Sequence, residues 1–549
     1  MMLRTFASVL LAGCFSFNAI AQKEVVKGWH LLDKQDDGYN GISLAKAYKF
    51  LKNKNSKTVV VAVIDGGVDT THEDLKAVLW HNPKEINGNK IDDDGNGYAD
   101  DYFGWNFLGS LDGKNVEKES AEAARLYFQL KPWAESIHSD TNNMQGDDAT
   151  KFKLWARVNK AMEVTAEDKF TLKLVQATTR AAGVYDSVIR SEWGTQHYSA
   201  DDLETFKPVT PEAKKAKMSY LRFIEILQMD RDMTNTEMFS ELNEYIEKQQ
   251  DMMRAKDSPV INYRKSITGD DENNWCTRQY GNSDIMCQSS MHGTHVSGII
   301  GAQRNNGIGI NGIANNVKIM NIRAVPNGDE HDKDVALGIH YAVDNGAKVI
   351  NMSFGKDVSP QKPWVDEAIR YAASHDVLLV HAAGNESENL DLQENYPSAK
   401  FNDATIAPNV ITVGASGDSS IKCGLVADFS NYGATTVDVM APGVKIYSCV
   451  PPGNGYSFLQ GTSMAAPVVS GIAALIRSYY PMLSAVEVKE AIESSVDNSM
   501  KDEYYPLPGG DKKQKISFGK LCKSGGIVNA YRAVLKADEI MAAKNQALK

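Results

Sequence analysis

Short runs of aliphatic and β-branched residues recur along the chain without the polar alternation of a half-exposed strand. The densest spans 58–64 and ends at Asp65 and two glycines. Positions 317–322, 348–353, 377–382 and 410–413 repeat the type. Such runs predict parallel strands buried on both faces. Between them, 335–345 and 363–375 carry helical spacing, and Gly346 predicts a helix end after Asn345. Strands alternating with helices predict an α/β fold in three layers, with a mostly parallel central sheet. Ligands of such sheets collect beyond the carboxyl ends of the strands, and Asp65 stands at one.

One stretch breaks the alternation. Residues 113–267 are rich in Glu, Lys, Met and Ala and poor in strand signals. Met238, Leu242, Tyr245 and Ile246 fall on one helical face, and Met218, Leu221, Ile224 and Leu227 form another stripe. Thr210-Pro211-Glu212 reads as a helix start. The stretch predicts an inserted α-helical subdomain with its own core, dividing the α/β domain into 22–112 and 268–540.

Hydrophobic residues make up 42% of the 549 positions and charged residues 23%, which favours a folded globular chain over a disordered one. A formal net charge of −11 argues against nucleic acid as the main partner. The first 21 residues read as an export signal. Arg4 supplies the positive flank, 6–17 are apolar, and Ala19-Ile20-Ala21 is a small-x-small cleavage site. Leu11-Ala12-Gly13-Cys14 offers a lipoprotein reading as the alternative, with a membrane anchor on Cys14. Export to the periplasm or the exterior makes disulfides possible. Cys276 with Cys287, and Cys423 with Cys449, are candidate pairs that spacing alone does not fix.

Three short blocks carry the chemistry. Val63-Ile64-Asp65-Gly66-Gly67 ends a buried strand. His292-Gly293-Thr294-His295 opens a glycine-bearing helix. Gly461-Thr462-Ser463-Met464-Ala465-Ala466-Pro467 places a serine at a helix start. They supply a carboxylate, an imidazole and a hydroxyl, and serine needs such neighbours to act as a nucleophile. The order Asp, His, Ser is one of the known chain orders for such a triad. A second imidazole at His295 has no third ligand pattern beside it and reads as a packed structural residue.

The three blocks resemble the signature segments of the subtilisin-like serine peptidases, the subtilases, and the resemblance extends over most of the chain outside 113–267. It implies that Ser463 is the nucleophile, His292 the general base and Asp65 its orienting acid. Val380-His381-Ala382-Ala383-Gly384-Asn385 resembles the family's oxyanion segment, so Asn385 would donate to the oxyanion. Ser353, Phe354 and Gly355 resemble the strand that pairs with substrate backbone, and Ala382, Ala383 and Gly384 the facing wall of the primary pocket. Small walls suggest a roomy pocket, with Glu386 at its rim favouring a basic side chain.

Calcium is the metal that the resemblance implies. Asp74 and Asn306 match family ligands, with backbone carbonyls of Arg304, Ile308 and Ile310 completing the shell. Separately, Asp92, Asp94, Asn96 and Asp100 place oxygen donors in an acidic, glycine-punctuated run that opens like an EF-hand loop. The span from Gln22 to Asp65 is too short for the family's usual prodomain, and more than two hundred residues separate Asp65 from His292. The resulting expectation is an exported serine endopeptidase acting on protein or peptide substrates through an acyl-enzyme, with no catalytic cofactor. The alternative is a catalytically silent, calcium-stabilised binding module on the same fold.

Overall fold

A computed structural model describes residues 25–137, 144–227, 229, 231, 233–287, 290–421, 424–511 and 513–547. The expected export segment, with Arg4, Cys14 and Ala21, lies outside the described residues, as does Cys423.

Seven strands make one sheet: β1 (Val59–Asp65), β2 (Gly104–Asn106), β3 (Val317–Arg323), β4 (Val349–Met352), β5 (Leu378–Ala382), β6 (Val410–Ser416) and β7 (Val439–Pro442). Their order is β2-β3-β1-β4-β5-β6-β7, and every pairing is parallel. The five long apolar runs are therefore strands, as expected. β2 and β7 were not expected, because three and four residues carry too little periodicity to read. A separate antiparallel ribbon pairs β8 (Ile446–Val450) with β9 (Gly455–Leu459).

Side-chain alternation divides the core in two. Val59, Val61 and Val63 of β1 join the cluster under the helices Met291–Gly301 and Thr462–Tyr479. Ala62 and Ile64 join the opposite cluster, packed by the helices Asp332–Asp344 and Lys362–Ser374. Helices on both faces explain why β1 lacks a polar stripe.

Residues Ala123–Ile261 form one compact unit, and Lys23–Glu122 with Asn262–Lys549 form the other. The first is helical, including Ala166–Trp193, Pro211–Ile226 and Asn235–Arg254. Its core holds Met238 and Leu242, with Tyr245 and Ile246 packed against them. Of the second expected stripe, Ile224 and Leu227 are buried and Leu221 packs against the same core, but Met218 is 73% exposed, and Ala213, Ala216, Tyr220 and Phe223 complete the inward face. The aromatic rings supply more apolar area than the methionine and set the helix's rotation.

Within the sheet-bearing unit, the segment after residue 262 is held by buried charge. The Arg264 guanidinium is fully buried and grips Asp334 through Nε at 2.7 Å and Nη2 at 2.6 Å, and Asp270 at 2.9 Å. Tyr280 donates its hydroxyl to Asp334 at 2.5 Å, and the Lys333 ammonium meets Asp270 at 2.7 Å. These bonds fix the segment to the first turn of the helix Asp332–Asp344, where carboxylates also suit the helix dipole. Hydrophobic patterning gives no sign of such a cluster, since each member reads alone as a surface residue. Cys276, Cys287, Cys449 and Cys522 are free thiols, so the Cys276–Cys287 bridge is not formed.

Removing one member of a buried ion cluster leaves the others uncompensated. Arg264→Leu is expected to lower unfolding stability by about 3–5 kcal/mol, read by urea denaturation of the full chain. A loss below about 1 kcal/mol would show that water or relaxation screens Asp334 and Asp270.

Candidate active site

The parallel register brings three strand ends to one level. β1 and β4 pair Ile64 with Met352, so Asp65 and Ser353 are the next positions on neighbouring strands. β4 and β5 pair Met352 with His381, so Ala382 follows beside Ser353. Adjacent strands lie roughly 4.8 Å apart, so the substrate-strand segment is one strand spacing from the carboxylate on one side and from the oxyanion segment on the other.

Asp65 is buried and points at the imidazole of His292. Nδ1 lies 2.8 Å from Oδ1 and 3.0 Å from Oδ2. The Gly66 amide donates to Oδ1 at 2.7 Å, fixing the carboxylate. A carboxylate accepts only, so the neutral ring carries its proton on Nδ1, leaving Nε2 as the basic nitrogen. His292 stands in the first turn of its helix, and Gly293 lets that helix touch the β1 turn. A methyl group on Gly293 would overlap the Gly67 carbonyl oxygen and lie 3.2 Å from the Asp65 Cβ.

Ser463 is the second residue of the helix Thr462–Tyr479, as expected. Pro467 lies inside that helix rather than in its first turn. Lacking an N–H, it cannot donate to the carbonyl four residues earlier, which belongs to Ser463. The Ser353 hydroxyl donates there instead, at 2.8 Å, while the Ser463 hydroxyl donates to the Ser353 carbonyl at 3.0 Å. Asn351 donates in turn to the Ser353 hydroxyl at 2.9 Å.

Asn385 faces the same place. Its Oδ1 accepts from the Thr462 amide at 2.8 Å and from the Thr462 hydroxyl at 3.0 Å. Both partners are donors to oxygen, so the carboxamide orientation is fixed and Nδ2 is the end turned away from Thr462. The Thr462 hydroxyl also accepts from the Gly384 amide at 3.0 Å.

His381 was not singled out from sequence for a role. It is buried in β5 and bonds the Phe354 carbonyl through Nε2 at 2.9 Å. Burial holds its pKa down at about 4, so it stays neutral. A lone histidine within an apolar strand was the available signal. His295 is a packed structural residue, as expected. It is fully buried, burial lowers its pKa to about 3, and Nε2 lies 3.0 Å from the Ile446 carbonyl and 3.2 Å from that of Ser457.

The two expected cation sites differ. Asp74 is fully buried, and the chain itself satisfies its oxygens. Asn306 Nδ2 donates to Oδ1 at 2.5 Å, and the Ile310 amide and Tyr456 hydroxyl donate to Oδ2 at 3.0 and 3.2 Å. Asn306 Oδ1 accepts from the Ile308 amide at 3.1 Å. This is a donor cradle around a carboxylate, built by the loop that carries Asn306 and Ile310 and by Tyr456 of β9. In the acidic loop, Asp92 and Asp94 come together with Glu85, one carboxylate oxygen of each lying within 4.8 Å of the others. Glu85 lies upstream of the aspartate-rich run, which is why the loop pattern missed it. Asp100 turns away and accepts from the Gly88 amide at 2.7 Å, while Asn96 Nδ2 donates to Asp101 at 3.0 Å.

A model of the Subtilase family matches residues 56–519. The chain belongs to the subtilase family. Its sequence is 42% identical to the "Thermophilic serine proteinase" of Bacillus sp. (strain AK1) over 38% of this chain and 47% of that protein. It is 40% identical to "Subtilisin DY" of Bacillus licheniformis, over 39% of this chain and 73% of that one. Against "Thermitase" of Thermoactinomyces vulgaris the identity is 37%, over 44% of this chain and 74% of that one. The chain spans less than half the length of the thermophilic proteinase that it matches.

The contact of Gly293 with the β1 turn is testable by sign. Helix propensity alone predicts that Gly293→Ala stabilises by up to about 1 kcal/mol. Overlap with the Gly67 carbonyl predicts a loss of about 1–3 kcal/mol instead, measured by denaturant unfolding.

Proposed function

We propose that this chain is an exported serine endopeptidase that cuts protein or peptide substrates through Asp65, His292 and Ser463. The observation that carries the reading is the bond of 2.8 Å from His292 Nδ1 to Asp65, one strand spacing from the Ser353–Ser463 pair. In the proposed reaction Ser463 exchanges the Ser353 carbonyl for Nε2 of His292 and attacks the scissile carbonyl. Nε2 takes the hydroxyl proton and passes it to the leaving amine. Asp65 holds the ring tautomer and stabilises the imidazolium. Asn385 Nδ2 and the Ser463 amide hold the oxyanion, and the helix N-terminus adds positive potential there. Water, deprotonated by His292, then resolves the acyl-enzyme. Substrate backbone pairs along Ser353–Gly355, with Ala382–Gly384 as the facing wall. No helix among the described residues is long and apolar enough to cross a membrane.

The test is labelling of the exported, full-length chain with a fluorophosphonate, read by intact mass, which also reports the first residue after export. The expected result is one adduct per chain, lost in Ser463→Ala. Asn385→Ala is expected to lower kcat by roughly 10²–10³ with KM nearly kept, a magnitude known for such a donor in subtilisin. An unlabelled chain that still binds peptides would return the silent binding-module reading.

The cation belongs, in this proposal, to Glu85, Asp92 and Asp94, with a structural role and no part in the reaction. Gathering like charges raises the free energy of the empty loop, and a divalent ion relieves it. Calcium at millimolar levels is expected to raise the Tm, with EGTA reversing the gain and Glu85→Gln abolishing it. An equal Tm with and without calcium in the parent chain would refute the site.

A further inference from the structure

The segment that follows β4 is anchored at three points as it leaves the sheet. Two are neutral hydrogen bonds, from the Ser353 hydroxyl to the Ser463 carbonyl and from His381 to the Phe354 carbonyl. The third is a buried charge. The Lys356 ammonium is 1% exposed and lies 2.9 Å from Glu122 Oε2 and 2.8 Å from Asp332 Oδ1. It also donates to the Glu330 carbonyl at 2.7 Å, so each of its protons has an acceptor. The backbone of Lys356 is held as well. Its amide donates to the Tyr396 carbonyl at 3.1 Å, and its carbonyl accepts from the Tyr396 amide at 3.0 Å.

These acceptors tie Lys356 to the root of the helical unit. Glu122 is the last residue ahead of that unit, and its amide donates to Asp329 Oδ2 at 2.8 Å. The chain returns at Asn262, and the Arg264 amide donates to Glu119 Oε2 at 2.8 Å. Arg264 also grips Asp334, two residues after Asp332 on the same helix. Asp332 Oδ2 closes the loop beyond Lys356, accepting from the Ser359 hydroxyl at 2.9 Å and the Gln361 amide at 2.7 Å.

We propose that Lys356 is a positioning residue for extended substrates. It holds the far end of the substrate-pairing segment to the root of the helical unit, and so sets what a longer peptide gains from that segment. The inference rests on the endopeptidase reading of the same site. A strand advances about 3.3 Å per residue, so Gly355 lies roughly two such steps beyond Ser353. A substrate with one residue before the cut meets the Ser353 end, which is bonded to Ser463 independently of Lys356. A longer peptide runs on to Gly355, beside Lys356, and main-chain bonds form there only while the segment keeps its place. Without the ammonium, the carboxylates of Glu122 and Asp332 would repel each other, and the segment would lose its tie to both. Lys356 itself touches no reacting atom.

The experiment compares the thiobenzyl esters of acetyl-alanine and of acetyl-tetra-alanine, which share a leaving group and differ in length. They are assayed with the full chain, with Lys356→Met, with Glu122→Gln and with the double variant, and active enzyme is counted by fluorophosphonate labelling. The parent is expected to favour the long ester by about tenfold or more in kcat/KM. In Lys356→Met that preference is expected to fall about fivefold through the long ester alone, with the short ester within about twofold per labelled site. Glu122→Gln is expected to move the preference the same way, and the double variant to fall no lower than Lys356→Met, because both changes break one contact. Where Lys356→Met yields no labelled chain, Glu122→Gln decides by the same ratio. A parent that gains nothing from length, a preference unmoved in both variants, or an equal loss on both esters overturns the role of Lys356. A fall in Lys356→Met alone overturns the link to the helical unit. In each of these cases labelling of the parent at Ser463 leaves the endopeptidase reading intact, whereas a parent that takes no label removes both.

Discussion

The carbonyl of Ser463 lacks its regular helical donor, because position 467, four residues on, is a proline, and the hydroxyl of Ser353 donates to it. Much of the site depends on this exchange. A buried carbonyl without a partner would cost roughly 1–3 kcal/mol, so the helix is tied to the end of β4 rather than merely packed over it. β4 in turn is in register with β1, which ends at Asp65, and with β5, which leads to Asn385. Four groups from distant parts of the chain thus inherit their spacing from one sheet. The return bond from the Ser463 hydroxyl to the Ser353 carbonyl makes the link reciprocal without adding any new element.

The sheet was legible in the sequence because burial on both faces forces uninterrupted apolar runs, and five of the seven strands have them. The Asp65, His292 and Ser463 blocks were legible because each needs small neighbours. Gly293 marks a place where backbones meet, and Gly461 holds a φ of 151° that residues with side chains rarely adopt. What escaped was determined by partners distant in sequence. Glu85 joins Asp92 and Asp94 only through folding of its loop, and Arg264 finds Asp334 across seventy positions. Neither leaves a periodic trace. Met218 misled because helical spacing alone cannot tell a methionine stripe from an aromatic one a fraction of a turn away.

Asp74 and the acidic loop show two ways to keep carboxylates inside a fold. At Asp74 the carboxylate meets N–H and O–H donors from two segments, 306–310 and Tyr456. Near Glu85 the donors are backbone amides of Asp93, Asp94 and Asp100, while the neighbouring side chains are themselves acids. Burial raises the Glu85 pKa, the direction for a group short of positive charge. Both arrangements give their carboxylates donors from the chain, and the second differs in gathering three acids, with the Lys84 ammonium 3.8 Å from Asp94. A residue's match to a family ligand is therefore weaker evidence than the chemistry of the atoms that end up around it.

The same distinction governs the pocket walls. Ala382, Ala383, Gly384 and Gly355 suggest open space when they are read as a list of small side chains. A glycine in a packed protein is small because something else uses the volume: at Gly384 it is Asn431 and Glu386 with Asn395 behind them, and at Gly355 it is the carboxamide of Asn395. Its bond to the Ala383 carbonyl means that it cannot swing aside without leaving that acceptor to Asn431 alone. That carboxamide is carried by a residue ten positions beyond Asn385 and is held by backbone bonds between Lys356 and Tyr396. A wall can be inferred from the residues that compose it, but the room it encloses depends on what the rest of the chain sends into it.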